Sequence, residues 1–211
     1  MSKQTMSVHR ALAELKTYED RIQKAMQASF VVANQKNNDK IQGKTIDEIN
    51  SIIQGNFDSY FALVENQRRI KAAVVASNAV TKVKIAGEEY TVAEAIERKA
   101  KLKYDEKFLL TLKAQFTEQN NRVDRANNEL PAKLETYLQQ ILGPKDKRTA
   151  DEITQHTELY EKKYKWELVD PCDIMNKIKE LEERILTFKT EVDYVLSDSN
   201  ALTQIEVEYT D

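Results

Sequence analysis

Residues that commonly perform catalysis or bind metals are scarce in this chain. It contains two histidines, His9 and His156, and a single cysteine, Cys172. Neither histidine has a second ligand three or four residues further along, so the spacing of a zinc or di-iron site is missing. Four glycines in 211 residues leave no phosphate-binding loop of the Walker or dinucleotide type. We therefore predict a protein that is not an enzyme and that needs no cofactor or metal.

Cys172 and two pairs of acidic residues are the remaining candidates for chemistry. Cys172 follows Pro171 at a predicted helix start, a position that can activate a thiol, but a buried structural thiol is the favoured interpretation. The pairs Glu88-Glu89 and Glu182-Glu183 fit a solvated surface. A hydrolase that uses carboxylates is therefore the least favoured of the functions considered.

Two basic clusters are candidates for binding an anion. Arg68, Arg69 and Lys71 lie near the end of the second predicted helix, where cations also complement the helix dipole without any ligand. Residues 162–166, Lys-Lys-Tyr-Lys-Trp, alternate cations with aromatic rings, which can hold a phosphate and stack a base. The same run is typical of an amphipathic edge strand, on which lysines oppose aggregation. Both interpretations stay open.

The overall charge and hydropathy exclude several classes of partner. With 32 basic and 35 acidic residues the net charge is −3, which gives no reason to expect a nucleic-acid polymer or an anionic membrane as partner. No segment approaches the roughly 18–20 apolar residues of a membrane span, and the first residues lack the pattern of a signal peptide. We expect a soluble protein of the cytoplasm, or of the host cytoplasm if the chain is viral.

The low content of glycine and proline predicts a mainly α fold. The pattern Thr-x-x-Glu, a capping box in which each side chain bonds the other residue's backbone N–H, marks three helix starts. The expected architecture is a bundle of long antiparallel helices of coiled-coil type. The predicted helices cover about 7–29, 45–76, 91–130, 132–142 and 149–158, with Pro131 breaking or kinking the longest of them. The second of these helices has a predicted apolar face formed by Ile46, Ile49, Ile53, Phe57, Tyr60 and Val64.

Apolar residues of the last helix follow a 4-3 spacing without interruption. This is the a/d seam of a helix that lies along a partner helix. The helix is expected to open at Asp170-Pro171, with Asp as the N-cap and Pro at the first helical position. A helix as long as 91–130 also needs a partner, so we expect a homo-oligomer. The seam consists of Ile174, Ile178, Leu181, Ile185, Phe188, Val192 and Val195.

Short stretches in which apolar and charged residues alternate predict a minor β component. Residues 81–90 predict a hairpin with its turn at Ala86-Gly87. Strands are also predicted at 164–168 and 205–209, and a polar loop at 34–44. We predict a single helical domain, residues 1–211, from which a long-helix arm protrudes at about 105–160.

Two segments resemble the septicolysin-like family of small bacterial helical proteins. Ser77-Asn-Ala-Val-Thr81, the hairpin and Tyr90-Thr-Val-Ala-Glu-Ala95 are similar to that family's Asn-x-x-Thr, turn and helix start. Residues of about 117–155 look like an insertion relative to it. The resemblance implies a small helical fold. The C-terminal matches, in order, are Lys165, Val169-Asp170, the seam helix and Asn200-x-x-Thr203.

Both Asn-x-x-Thr motifs lie where a predicted helix meets a short strand. There the side chains can cap the backbone without any ligand, which is the favoured interpretation. If the motifs converge near cations, they suit a small anionic ligand such as a nucleotide, held between subunits. The candidate ligand-binding residues are Arg68, Arg69, Asn78, Thr81, Lys82, Lys165, Trp166, Asn200 and Thr203.

The predicted function is that of a non-enzymatic, homo-oligomeric binding protein. We expect it to resemble in function the small phage proteins that sequester a nucleotide-like immune signal of the host, which is an anti-defence role. This analogy depends on the absence of enzyme motifs and on the expected oligomer. The alternative is a structural or assembly protein whose long helices bind protein partners.

Overall fold

The computed structural model describes residues 2–210 and confirms a mainly α fold with short β-hairpins. Its described part contains five α-helices and three two-stranded antiparallel sheets. The helices are α1 Val8–Ala25, α2 Ile46–Val80, α3 Val92–Leu142, α4 Ala150–Tyr164 and α5 Ile174–Leu202. The strands are β1 Ser2–Ser7, β2 Lys40–Ile41, β3 Lys44–Thr45, β4 Lys82–Ile85, β5 Glu88–Thr91 and β6 Gln204–Tyr209.

All three predicted capping boxes form. At the start of α2, the Thr45 N–H donates to the Glu48 carboxylate at 2.7 Å, and the Glu48 N–H donates to Thr45 Oγ1 at 3.3 Å. Thr91 and Glu94 make the same reciprocal pair before α3, as do Thr149 and Glu152 before α4. Because these bonds join residues three apart, they place each helix start from local sequence alone.

The longest helix does not break at Pro131. α3 runs from Val92 to Leu142 with this proline inside it. Proline lacks the N–H that would bond the carbonyl four residues earlier, so one helical hydrogen bond is absent at this turn. The helix nevertheless continues on both sides of this turn, so of the two predicted outcomes, a break or a kink, the break is wrong.

The predicted strand at 164–168 is also wrong. α4 continues to Tyr164, and residues 165–170 are irregular. The backbone of Trp166 is held by the side-chain amide of Asn127 on α3: Nδ2 donates to the Trp166 carbonyl at 2.8 Å, and the Trp166 N–H donates to Oδ1 at 2.9 Å. One amide group thus satisfies the two backbone groups that a neighbouring strand would otherwise bond.

The start of the seam helix differs from the prediction as well. α5 begins at Ile174, whose N–H donates to Asp170 Oδ2 at 2.8 Å. Asp170 therefore caps the helix, while Pro171 and Cys172 lie in a turn before it. Because this turn is on the surface, Cys172 is exposed, and the prediction of a buried thiol is wrong.

The first and last strands of the chain form a sheet that the sequence predicted only in part. β6 was expected, but its partner β1 was not, because its sequence is polar apart from Met6. The two strands pair antiparallel, with Ser2 opposite Tyr209 and Ser7 opposite Gln204. One face of this sheet packs on α1 and α2 in a core formed by Met6, Val8, Ala11, Tyr18, Leu63, Ile70, Val74, Ile205 and Val207.

Contacts divide the chain into two compact units. One comprises the residues up to Ala100 together with those from Thr187 onward, and the other comprises Lys101–Leu186. In the first unit the seam residue Phe188 packs edge-on against Tyr90, with ring centroids 5.9 Å apart. In the second, Lys113 of α3 pairs with Glu182 of α5 at 2.7 Å. The seam therefore contacts elements of its own chain. That residues 105–160 protrude as an arm stays a prediction.

Candidate functional site

The first Asn-x-x-Thr motif ends α2 and leads into β4. The Thr81 N–H donates to the Ser77 carbonyl at 2.9 Å, and the Thr81 carbonyl accepts the N–H of Val92 at 2.9 Å. Val92 is the first residue of α3, which follows directly after the partner strand β5. The motif thus connects a helix end, a strand and the start of the next helix.

The second motif has the same construction. The Thr203 N–H donates to the Ser199 carbonyl at 2.9 Å, and the Thr203 carbonyl accepts the N–H of Val8, the first residue of α1, at 2.9 Å. Both motifs belong to the same compact unit, which therefore contains two copies of one helix–strand arrangement. The strand registers correspond as well. In the first copy, the residue after the motif's threonine, Lys82, lies opposite Thr91, and in the second copy Gln204 lies opposite Ser7.

Main-chain groups, not the asparagine side chains, make these junctions. Within residues 2–210 the half-buried amides of Asn78 and Asn200 take no part in a hydrogen bond, and Thr81 Oγ1 lies 3.4 Å from Ser77 Oγ. The predicted capping by asparagine is therefore not what the structure shows. Each amide retains two donors and an acceptor for another molecule.

Arg68 and Arg69 share one carboxylate. Arg68 donates from Nε and Nη2 to the two oxygens of Glu65, each at 2.7 Å, and Arg69 Nε donates to Glu65 Oε1 at 2.8 Å. The hydrogen bonds from Arg68 and then Arg69 lower the pKa of Glu65 to about 2, so this carboxylate is charged at neutral pH. It neutralises one of the two guanidinium charges, which weakens the case for an anion at this position.

The remaining contacts of these cations are structural too. Arg69 Nη1 donates to the carbonyl of Glu208 in β6 at 3.2 Å. α2 continues to Val80, so the arginines lie inside the helix and not near its end as predicted. Lys82 Nζ donates to Glu89 Oε1 at 2.7 Å, which raises the pKa of Lys82.

Lys165 and Trp166 belong to the second unit, whereas the other seven candidate residues belong to the first. The Trp166 ring is 46% exposed and has the guanidinium of Arg122 over its face, 5.4 Å from the centroid. The cation next to this ring therefore comes from α3 and not from the lysine run. Lys163 lies over Tyr164 instead, at 5.2 Å.

An exposed aromatic cluster that the sequence did not identify lies where the end of α1 meets α2. Sequence periodicity placed Phe57 and Tyr60 on an apolar face of α2, but Phe57 and Phe61 are 50% and 52% exposed. The side chains surround a groove of about 370 Å³, which we call the aromatic groove. Its lining residues are Met26, Phe30, Phe57, Tyr60 and Phe61.

Ring contacts give the aromatic groove a defined geometry. The centroids of Phe57 and Phe61 are 4.7 Å apart, and Phe30 packs edge-on against Tyr60 at 6.5 Å. Asn56 Nδ2 donates to the Ser29 carbonyl at 3.0 Å and so holds the segment after α1 against α2. The sequence shows this run of apolar residues. It does not show that the rest of the described chain leaves them uncovered.

The part of the chain from residue 2 to residue 210 has no group of three or more His, Cys, Asp or Glu residues arranged to hold a metal ion. None of its helices is both long and apolar enough to span a bilayer. His156 Nδ1 lies 3.3 Å from the Tyr137 hydroxyl, and His9 is exposed.

No protein-family model matches the chain, and neither the curated proteins nor the solved structures contain a match. The resemblance to the septicolysin-like family therefore stays a prediction.

Proposed function

We propose that this protein is a non-enzymatic binding protein that associates with a second copy of itself through the aromatic groove. The observation that supports this proposal is the exposure of Phe57 and Phe61 beside Met26, Phe30 and Tyr60. Large contiguous apolar patches are uncommon on monomers and are typical of protein–protein contacts. Covering it removes apolar area from water, which favours association.

Charge distribution around the groove suits a second copy of the same chain. From Ala25 to Gln35 there is no charged residue, and between Ile52 and Val64 on α2 Asp58 is the only one, although 32% of the chain is charged. Interface cores are depleted of charge. A two-fold contact brings the same surface from both subunits together, so an uncharged surface avoids the repulsion that a basic or acidic one would create.

Replacing Phe57 and Phe61 together with serine tests this proposal. We expect the wild-type protein to have the mass of a dimer or a larger oligomer in light scattering coupled to size-exclusion chromatography, and the double variant to have the mass of a monomer. The matched control replaces Leu110 and Leu159, which are also exposed, with serine and should leave the mass unchanged.

Two results would contradict self-association through the groove. One is a wild-type protein that remains monomeric up to high micromolar concentration, which would favour the alternative of an assembly protein that binds a different protein. The other is a Phe57→Ser/Phe61→Ser variant that keeps the wild-type mass.

A small anionic, nucleotide-like ligand is the second candidate, and the phage anti-defence role depends on it. In its favour, Asn78 and Asn200 occupy equivalent positions and their amides are unbonded within the described chain.

A nucleotide at 100 times its Kd should stabilise the protein by about 2.7 kcal/mol, which is measurable as a rise in Tm. Asn78→Ala and Asn200→Ala should remove the rise, whereas the exposed Asn50→Ala should keep it. A panel of nucleotides that leaves Tm unchanged would overturn this candidate.

A further inference from the structure

The compact unit that contains both Asn-x-x-Thr motifs has a sequence repeat that extends beyond them. Residues 77–81 read Ser-Asn-Ala-Val-Thr and residues 199–203 read Ser-Asn-Ala-Leu-Thr, so four of the five positions are identical. The strand that follows each motif alternates exposed and buried residues in the same phase. The buried residues of these strands are Val83 and Ile85 in β4, and Ile205 and Val207 in β6.

The helix after the second strand of each copy repeats as well. α3 and α1 both begin with Val-x-x-Ala, and the hydroxyl residue before that valine accepts the N–H three residues further on, at 3.2 Å in both copies. Val92 and Ala95 are buried, as are Val8 and Ala11. The order helix, strand, strand, helix is therefore shared by α2–β4–β5–α3 and α5–β6–β1–α1, although β6 and β1 are far apart in the sequence.

Contacts between the two copies are reciprocal. Arg69 of α2, twelve residues before its motif threonine, donates to the carbonyl of Glu208, five residues after the other motif threonine. Glu191 of α5 has the same position in the second copy and accepts the N–H of Ala86, at the matching position of the first copy, at 2.7 Å. Such reciprocity is how two equal subunits meet across a two-fold axis. The fully buried residues one position further along the two helices are Ile70 and Val192.

One pair of equivalent helix positions differs, and the strands explain the difference. Asn66 and Phe188 lie fifteen residues before the motif threonines, and both are buried. Asn66 bonds the N–H and the carbonyl of Thr210, which follows β6 where no turn leads into β1. In the first copy the Ala86-Gly87 turn joins the two strands, and Phe188 packs its ring against Tyr90 instead.

We infer that this compact unit is an internal repeat with two-fold pseudosymmetry whose second copy is circularly permuted: β6 and β1 correspond to β4 and β5 but lack the turn between them. None of the residues that carry this inference lines the aromatic groove, so the repeat is independent of the proposed function.

The strand registers allow the missing connection to be made. The pair Tyr209–Ser2 lies two pairs beyond the one that corresponds to Ile85–Glu88, which flanks the Ala86-Gly87 turn. Hydrogen-bonded and non-hydrogen-bonded pairs alternate along an antiparallel ladder. Tyr209 and Ser2 are therefore the same kind of pair as the one that the two-residue turn closes in the first copy.

Moving the chain break from one copy to the other tests the inference. In the short-turn variant, residues 209 and 2 are joined by the dipeptide Ala-Gly, and the chain is opened at the Ala86-Gly87 turn. The matched control is opened at the same turn but keeps every residue and joins its two ends through a flexible linker of about ten glycine and serine residues. We expect both to keep the wild-type circular dichroism spectrum, and the short-turn variant to have the higher Tm, because a shorter loop loses less entropy on closing.

Asn66→Ala distinguishes an equivalent hairpin from two strands that merely lie side by side. We expect it to lower the Tm of the natural chain and of the long-linker control by roughly 5–10 °C. In the short-turn variant the loss should be less than half as large, because the turn takes the place of Thr210. The inference is overturned if opening the Ala86-Gly87 turn unfolds both permuted chains, if the short-turn variant alone loses its cooperative transition, or if Asn66→Ala lowers the Tm equally in all three chains.

Discussion

Replacing Ile70 with alanine should lower the free energy of unfolding by about 2–5 kcal/mol, the range measured when a large buried aliphatic side chain is truncated. Ile70 is fully buried on α2, in the core that includes Val74 and the β6 residues Ile205 and Val207. Truncation removes the apolar contacts of the side chain and leaves a cavity. Because α1, α2 and both strands meet there, these elements cannot all close onto the shorter side chain.

Urea denaturation followed by circular dichroism measures this effect. The matched control is Val75→Ala on the same helix, where the side chain is 60% exposed and the change should stay within about 0.5 kcal/mol. A loss below about 1 kcal/mol for Ile70→Ala would contradict the position of Ile70 at the centre of this core.

Replacing Asn66 with alanine should cost about 2–3 kcal/mol and release the C-terminal end of β6. Asn66 is the buried polar residue of α2, at 8% exposure. Its Nδ2 donates to the Thr210 carbonyl at 3.1 Å, and its Oδ1 accepts the Thr210 N–H at 2.7 Å. Alanine leaves both backbone groups without a partner, and each buried unsatisfied group costs about 1–3 kcal/mol unless water reaches it.

Hydrogen exchange distinguishes this local effect from a general loss of stability. We expect the amides at the C-terminal end of β6 and at the start of β1, which pairs with it, to exchange faster in Asn66→Ala, while those of α4 in the other unit keep their wild-type rates. The control Asn50→Ala changes an exposed asparagine of the same helix and should slightly stabilise it, because alanine is the better helix former. Unchanged exchange in β6 would show that Asn66 does not hold this strand.

Further bonds hold the same strand and limit how far it opens. The Tyr209 hydroxyl donates to Glu14 Oε2 of α1 at 2.8 Å, and Arg69 bonds the carbonyl of Glu208. Partial burial, followed by the hydrogen bond to Glu14, raises the pKa of Tyr209, so the phenol keeps its proton at neutral pH. Loss of Asn66 therefore frees the end of β6 and not the whole strand.

Local patterns in the sequence predicted the elements whose hydrogen bonds join residues close along the chain. The three Thr-x-x-Glu capping boxes placed the starts of α2, α3 and α4. Ala86-Gly87 placed the turn between β4 and β5, and both residues have positive φ there, 52° and 81°. The seam spacing of α5 identified four buried side chains, those of Ile178, Ile185, Phe188 and Val192.

Tertiary structure alone decided the features that depend on residues far apart. β1 is a strand because β6 lies beside it, and Asn66 is buried because Thr210, 144 residues away, bonds its amide. Conversely, Trp166 is not in a strand because Asn127 supplies its backbone partners from α3. Periodicity in one segment shows that a face is apolar, but whether that face is covered depends on where the rest of the chain lies. For this reason the apolar stripe of α2 was predicted from the sequence, whereas the exposure of Phe57 and Phe61 in the aromatic groove was not.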